Sequence, residues 1–209
     1  MQSLKAKHNC FAFFVFIFIR KQKKSSILKI KKGEKKMTSE KILAIDVGTT
    51  ESGCAIMQFE KDDIDLIIFG KITNENLMQI VKSQDYDQLV YEQFQSFGMA
   101  VGESTIESIL WNGRFIQAAI DRHIPVERVY RKEEKLCLCN SLKAKDSNIR
   151  QALIDRYAKT DKKNGRGTKK APDVFYGVSK DVWSAIAVGV TWKEKKEEEM
   201  REKENEKKS

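Results

Sequence analysis

Ile42-Leu43-Ala44-Ile45-Asp46-Val47-Gly48-Thr49-Thr50 is the stretch on which the fold turns. A short, continuous apolar run followed by a small-residue turn reads as a strand buried on both faces. Asp46 closes that run, and a carboxylate at the end of a buried strand is costly to desolvate unless something positive neutralises it. The arrangement recurs downstream. Leu89-Val90-Tyr91-Glu92 is a second apolar run ending in an acid, and Asp181 opens the helix-like segment Asp181-Val182-Trp183-Ser184-Ala185-Ile186-Ala187-Val188. Three such carboxylates converging on one point would make a site for a hard divalent cation, most naturally Mg²⁺. In the turn, Gly48 would let the backbone approach a phosphate and the hydroxyls of Thr49 and Thr50 could donate to it.

Working outward, residues 54–59 and 64–70 read as two further strands of an antiparallel meander. Residues 74–83 have helical spacing at Leu77, Ile80 and Val81, and 87–92 is the next buried strand. Residues 103–122 form a long amphipathic helix with Ile106, Ile109, Leu110, Phe115 and Ile116, and 125–130 is an edge-like strand. Asp146 is placed to cap a helix with Ile149, Leu153 and Tyr157 on its inner face. Residues 160–170, rich in Lys and Gly, read as a mobile basic loop, and 181–192 as the closing helix. The almost wholly charged 193–209 is either a helical extension or a disordered tail. The sum is an α/β fold, a mixed five-stranded sheet with helices on both faces.

The net charge of +9 misleads as a total. Residues 1–36 hold 11 Lys/Arg against one Glu; residues 37–127 hold 6 basic and 15 acidic groups; residues 128–180 hold 15 basic and 6 acidic. A basic belt beside an acidic cluster suits a protein that grips phosphate next to a metal cage. The apolar run 11–19 is too short to span a bilayer, and the basic residues after it leave no signal-peptide cleavage site. Met37 opens a clean start directly before the first core strand, and the codons for Lys32-Gly33-Glu34-Lys35-Lys36 would resemble a ribosome-binding site. Residues 1–36 are therefore expected to be upstream leader or a disordered basic extension, 37–192 the working domain in the cytoplasm, and 193–209 a charged tail. Of the four cysteines, Cys137 and Cys139 share a face if Leu136-Cys137-Leu138-Cys139 is extended. With only His8 and His123 elsewhere, they lack the ligand count for structural zinc and read as reduced thiols.

Asp46-Val47-Gly48-Thr49-Thr50 is also the wording of sugar-kinase and actin-like ATPases, but those need two large lobes and this chain has residues for one. Val90-Tyr91-Glu92-Gln93, followed by a loop into the long helix, resembles instead the RuvC-like Holliday-junction resolvases of the ribonuclease H-like superfamily. Asp181-Val182-Trp183-Ser184-Ala185 is similar to that family's last motif, with Ser184 where relatives carry a second acid. Leu142-Lys143-Ala144-Lys145-Asp146 and Gly167-Thr168-Lys169-Lys170-Ala171-Pro172 resemble its phage-borne members. The resemblance covers residues 41–192. It implies a magnesium-dependent endonuclease that cuts four-way DNA junctions as a homodimer, with the 103–122 helix as interface. Asp46, Glu92 and Asp181 would be catalytic and hold two Mg²⁺, with Mn²⁺ as substitute. Ser184 would reach a metal through water, or Asp173 would fold in as a replacement ligand, the first being favoured because fixing a loop acid costs entropy. Thr49, Gln93, Phe94, Phe97, Lys143, Lys145, Arg150, Lys169 and Lys170 would contact DNA, a phenylalanine by stacking on an unpaired base. A ribonuclease H-like enzyme of ribosomal RNA processing and an inactive branched-DNA-binding protein are the alternatives.

Overall fold

In the computed structural model, which describes residues 18–19, 40–60, 63–96 and 98–206, the 42–45 run lies in the middle of a mixed sheet. The strands are β1 (Phe18–Ile19), β2 (Lys41–Asp46), β3 (Glu51–Glu60), β4 (Asp63–Thr73), β5 (Gln88–Gln93) and β6 (Val126–Tyr130). The helices are α1 (Asn74–Ser83), α2 (Glu103–Asp121), α3 (Arg131–Cys139), α4 (Asp146–Tyr157) and α5 (Lys180–Glu206). The spatial order is β1-β4-β3-β2-β5-β6. Strands β2, β3 and β4 run antiparallel in sequence, while β5 and β6 lie parallel on the other side of β2. The expected five-stranded sheet is β2 to β6. The two residues of β1 are added on the outer edge of β4, Phe18 opposite Phe69. The rest of the leader reading lies outside the described residues.

Alternation of side chains along β2 explains both faces. Ile42 and Ala44 enter one core with Met57, Ile186 and Val190, beneath α5. Leu43 and Ile45 enter the other with Leu77, Val81, Phe115 and Ala119, beneath α1 and α2. Ile42, Leu43, Ala44 and Ile45 are all 0 % exposed, so the strand has no solvated face between Lys41 and Asp46 and tolerates no polar residue there. Thr73 ends β4 and caps α1, its hydroxyl accepting from the Asn76 amide.

Three expectations need correction. Residues 131–139 are helix α3, not an extended segment; Leu138 is buried while Leu136 is 47 % exposed, a helical pattern, so Cys137 and Cys139 do not share a face. Both remain free thiols, with Cys54, and the Cys137 thiol lies 2.9 Å from Glu194. Helix α4 is capped by Lys145, whose amide donates to Asn148 at 2.9 Å; Asp146 is its first residue and turns elsewhere. The 160–170 segment is pinned, not loose: Asp161 accepts from the amides of Lys163, Asn164, Arg166 and Gly167, and Asp173 accepts from those of Lys159, Thr160 and Asp161. Of the two forms expected for the charged 193–206 segment it takes the helical one, continuing α5 without a break, and Lys195 and Lys196 dock it on Glu133 and Glu127 at 2.6 and 2.8 Å. Among the described residues, no helix is long and apolar enough to cross a membrane.

Candidate active site

Parallel pairing of β2 with β5 puts Ile45 opposite Tyr91, so Asp46 and Glu92, one residue further on, leave the sheet side by side. On the other side of β2, Gly53 of β3 faces Asp46. A Cβ built on Gly53 would stand 2.2 Å from the Asp181 carbonyl oxygen. The bare glycine lets the first turn of α5 close on the strand end, and this brings Ser184 beside Asp46, where its hydroxyl favours the ionised carboxylate.

Charge in this niche is short on the positive side. Burial raises the Asp46 pKa, and the neighbouring Asp181 charge adds to it, against the opposing Ser184 hydrogen bond and Arg131. Burial also raises that of Glu92, with the Asp46 charge next and Arg131 opposing. Two adjacent carboxylates that both resist ionisation want a cation, and an all-oxygen donor set suits a hard divalent one. Asp181 does not join them. Its carboxylate is 3.0 Å from the Lys71 ammonium, which also lies 3.5 Å from Glu51. Among the described residues, no three His, Cys, Asp or Glu side chains are gathered closely enough to form a metal cage.

The 47–50 turn is braced from within. Asn74, fully buried, donates to the carbonyls of Gly48 and Thr49 at 3.1 and 3.0 Å and accepts from Ser52 at 2.5 Å. A Cβ on Gly48 would lie 2.2 Å from the Glu51 carbonyl oxygen, so this glycine is required by the turn itself. Thr49, Asp46, Glu92 and Phe94 line a cavity of about 350 Å³ against α2, with Phe94 43 % exposed. Gln93 is engaged locally, accepting from the Tyr91 hydroxyl and donating to the Phe94 carbonyl. Phe97 lies outside the described residues.

A second cavity, of about 540 Å³, is cationic: Arg131, Arg150, Lys163, Arg166 and Lys180 line it, with Asp181 and Ser184, and Arg131, 4.0 Å from Glu92, links it to the first. Arg150 sits where expected, its guanidinium 5.0 Å from the Trp183 ring centre. Lys143, Lys145, Lys169 and Lys170 are exposed and stand outside this lining. Asp173, by contrast, is committed to the loop: it is 5 % exposed and accepts from four backbone amides and the Thr160 hydroxyl. Nothing remains of it to serve a metal.

Sequence reasoning missed Arg131 and Glu134. Arg131 stands 2.6 Å from the Glu134 carboxylate and 4.0 Å from that of Glu92, and its other terminal nitrogen donates to Asp146. Glu134 is 0 % exposed, with one carboxylate oxygen lacking a hydrogen-bond partner. Arg131-Lys132-Glu133-Glu134-Lys135 reads as a solvated charge run; only the i,i+3 spacing of Arg131 and Glu134, once a helix is assigned, signals the pair.

The sequence matches no family model and no curated protein. Its fold matches solved structures. RuvC of T. thermophilus in complex with a Holliday junction substrate superposes with a TM-score of 0.55 at 14 % identity, over 73 % of this chain and 92 % of that one. The Thermus thermophilus RuvC structure gives 0.55 at 14 %, over 72 % and 92 %. The yeast mitochondrial Holliday junction resolvase Ydc2 gives 0.50 at 12 %, over 74 % and 78 %. The α/β, ribonuclease H-like fold expected from the sequence is therefore the fold of this chain.

Proposed function

We propose that this chain is a structure-selective DNA endonuclease that resolves four-way junctions by magnesium-dependent, paired nicking. The observation that carries the reading is the adjacency of two cavities: one ending on Asp46 and Glu92, under-neutralised carboxylates, the other lined by five cationic side chains. Phosphate grip beside an acidic strand end is the division of labour a phosphodiester hydrolase needs, and it stands on a fold shared with solved Holliday-junction resolvases.

Asp46 and Glu92 would hold the ion, with Asp181 as third ligand once its carboxylate leaves Lys71, and Ser184 through water. Magnesium bound there, or manganese in its place, would supply an activated water and charge stabilisation at the leaving 3′ oxygen. Arg150, Lys163 and Lys180 would hold the phosphates on either side of the scissile bond, leaving 5′-phosphate and 3′-hydroxyl ends. Two opposed strands require two sites related by a two-fold axis. Ile106, Ile109 and Leu110, 49, 43 and 55 % exposed on α2, support that helix as the place where a second copy docks. The Leu142–Asp146 and Gly167–Pro172 wording supports a phage-borne origin, and action on DNA supports a cytoplasmic place of work.

The test is to incubate the full chain with labelled four-way, duplex and single-stranded DNA, with and without Mg²⁺. Symmetric nicks in the junction alone, only with the metal, are expected. Duplex cut as readily as junction would sink the reading. Tight junction binding with no cutting would point to the inactive branched-DNA-binding alternative, which the Asp181–Lys71 ion pair favours.

A further inference from the structure

We propose that Arg131 is the built-in second cation of this site. Its guanidinium, set by Glu134, does the charge-neutralising work of a second metal ion, so the chain operates with one divalent cation on Asp46 and Glu92. The inference rests on the nuclease reading and deepens it.

Ligand supply is the first argument. A second ion needs carboxylates of its own, and each other acid near Glu92 already carries a cationic side chain or, once Asp181 turns from Lys71, serves the first ion. Asp181 is on Lys71; Glu134 and Asp146 are on Arg131. Ser184, standing where the family resemblance places an acid, is neutral. A neutral hydroxyl is a poor substitute for a carboxylate in holding Mg²⁺.

Position is the second. The guanidinium is 4.0 Å from the Glu92 carboxylate and also lines the cationic cavity, so it spans the border between the acids and the expected phosphate path. It is fixed there from two sides, by Glu134 at 2.6 Å and by Asp146. Glu134 is fully buried with one oxygen unpartnered, an arrangement that weakens a fold and persists where it positions something. Arginine has five N–H donors in a planar fork, so donors remain for a phosphate oxygen after these contacts. Glu134 is thus a positioning residue for Arg131.

The experiment titrates the full chain with MnCl₂ alone, no DNA present, by isothermal calorimetry. The wild-type chain should take up one Mn²⁺. Arg131→Met, which removes a positive charge beside Glu92, should tighten that uptake roughly tenfold. Under saturating Mn²⁺ the same variant should cut four-way junctions roughly a hundredfold more slowly, and Arg131→Lys should recover part of the loss. Glu134→Gln keeps an acceptor for Arg131; it should lower kcat about tenfold with junction KM unchanged. Melting midpoints of all three variants control for folding, and Arg131→Lys carries the test if Arg131→Met does not fold. Two Mn²⁺ per wild-type chain, or Arg131→Met affinity within twofold of wild type, would overturn the proposal. No uptake at all would overturn both readings. A wild-type chain that cuts no junction yet takes up one Mn²⁺, more tightly in Arg131→Met, would overturn the nuclease reading and leave the charge assignment standing.

Discussion

Glu92 and Asp173 are both carboxylates largely withdrawn from water, Glu92 with a side chain 23 % exposed and Asp173 5 % exposed overall, and the chain treats them in opposite ways. Burial alone would push both upward in pKa. At Asp173 the amides of Asp161, Thr160, Lys159 and Val174 outweigh burial and hold the group well below the ordinary carboxylate range. At Glu92 nothing comparable is supplied: burial comes first, the Asp46 charge adds to it, and Arg131 at 4.0 Å only partly opposes them. An acid saturated with hydrogen bonds is part of the scaffold; an acid left wanting a cation is part of a site.

The largest effect that could break this contrast is on chemistry. Asp46→Asn and Glu92→Gln should each slow junction cleavage by roughly a thousandfold or more while leaving junction binding intact or improved. They should also stabilise the fold, raising the melting midpoint by about 2–4 °C for a gain of roughly 1 kcal/mol, because a repelling pair of charges becomes one charge and an amide. Cleavage, gel-shift and melting assays on the same preparations decide it. Loss of stability in either variant would put these acids in the same class as Asp173.

Next in size is Asp173→Ala, which should cost roughly 2–4 kcal/mol of stability, since it strips several charge-assisted hydrogen bonds at once and leaves buried amides unpaired. The pH dependence sharpens the comparison. Asp173 has a depressed folded pKa, so its contribution is full above the unfolded value of about 4 and is lost as pH falls through the lower folded one. Glu92 has a raised folded pKa, so its penalty grows as pH rises from about 4 through that raised value. Melting scans across pH should show the Asp173→Ala deficit shrinking in acid, whereas the Glu92→Gln advantage should be absent in acid and widest above neutrality. A Glu92→Gln advantage constant with pH would mean that the niche has another source of positive charge.

Which parts of this were open to sequence reading follows from the same physics. The strand ends at Asp46 and Glu92 stood out because apolar runs are long-lived signals and an acid at their end is anomalous. The helix over 74–83 was legible to its boundaries for the same reason. Arg131 and Glu134 were hidden because a buried charge inside a charged run has no local anomaly; its burial is made by α4 and α5 arriving from far along the chain. Asp173 was readable as an acid in a loop, but its purpose depends on amides 12 to 14 residues earlier in sequence. Lys71, which diverts Asp181 from the other acids, lies in a strand 110 residues upstream of it, and no periodicity connects them.

The smallest expected effects concern the lysines and arginines, and they extend the contrast from acids to cations. The Asp161 and Asp173 hydrogen bonds fix the backbone of the loop that delivers Lys163 to the cavity beside Asp181 and Ser184. Lys143 and Lys145 stand exposed outside that cavity, although the Lys145 backbone is held as the cap of α4. Both pairs can release counterions, so Lys143→Ala with Lys145→Ala, and Lys163→Ala with Lys180→Ala, should each flatten the slope of log K against log salt by about two units if every lysine grips one phosphate. Their effects on turnover should differ. The cavity pair holds phosphates next to the reacting bond, so its loss should lower kcat as well as affinity, by roughly tenfold. The exposed pair grips phosphate at a distance, where a contact strengthens ground state and transition state alike, so its loss should raise KM and leave kcat unchanged. Equal effects on kcat from the two pairs would show that the pinned loop gives its cations no positional advantage, and an unchanged salt slope for Lys143 and Lys145 would remove them from the DNA path.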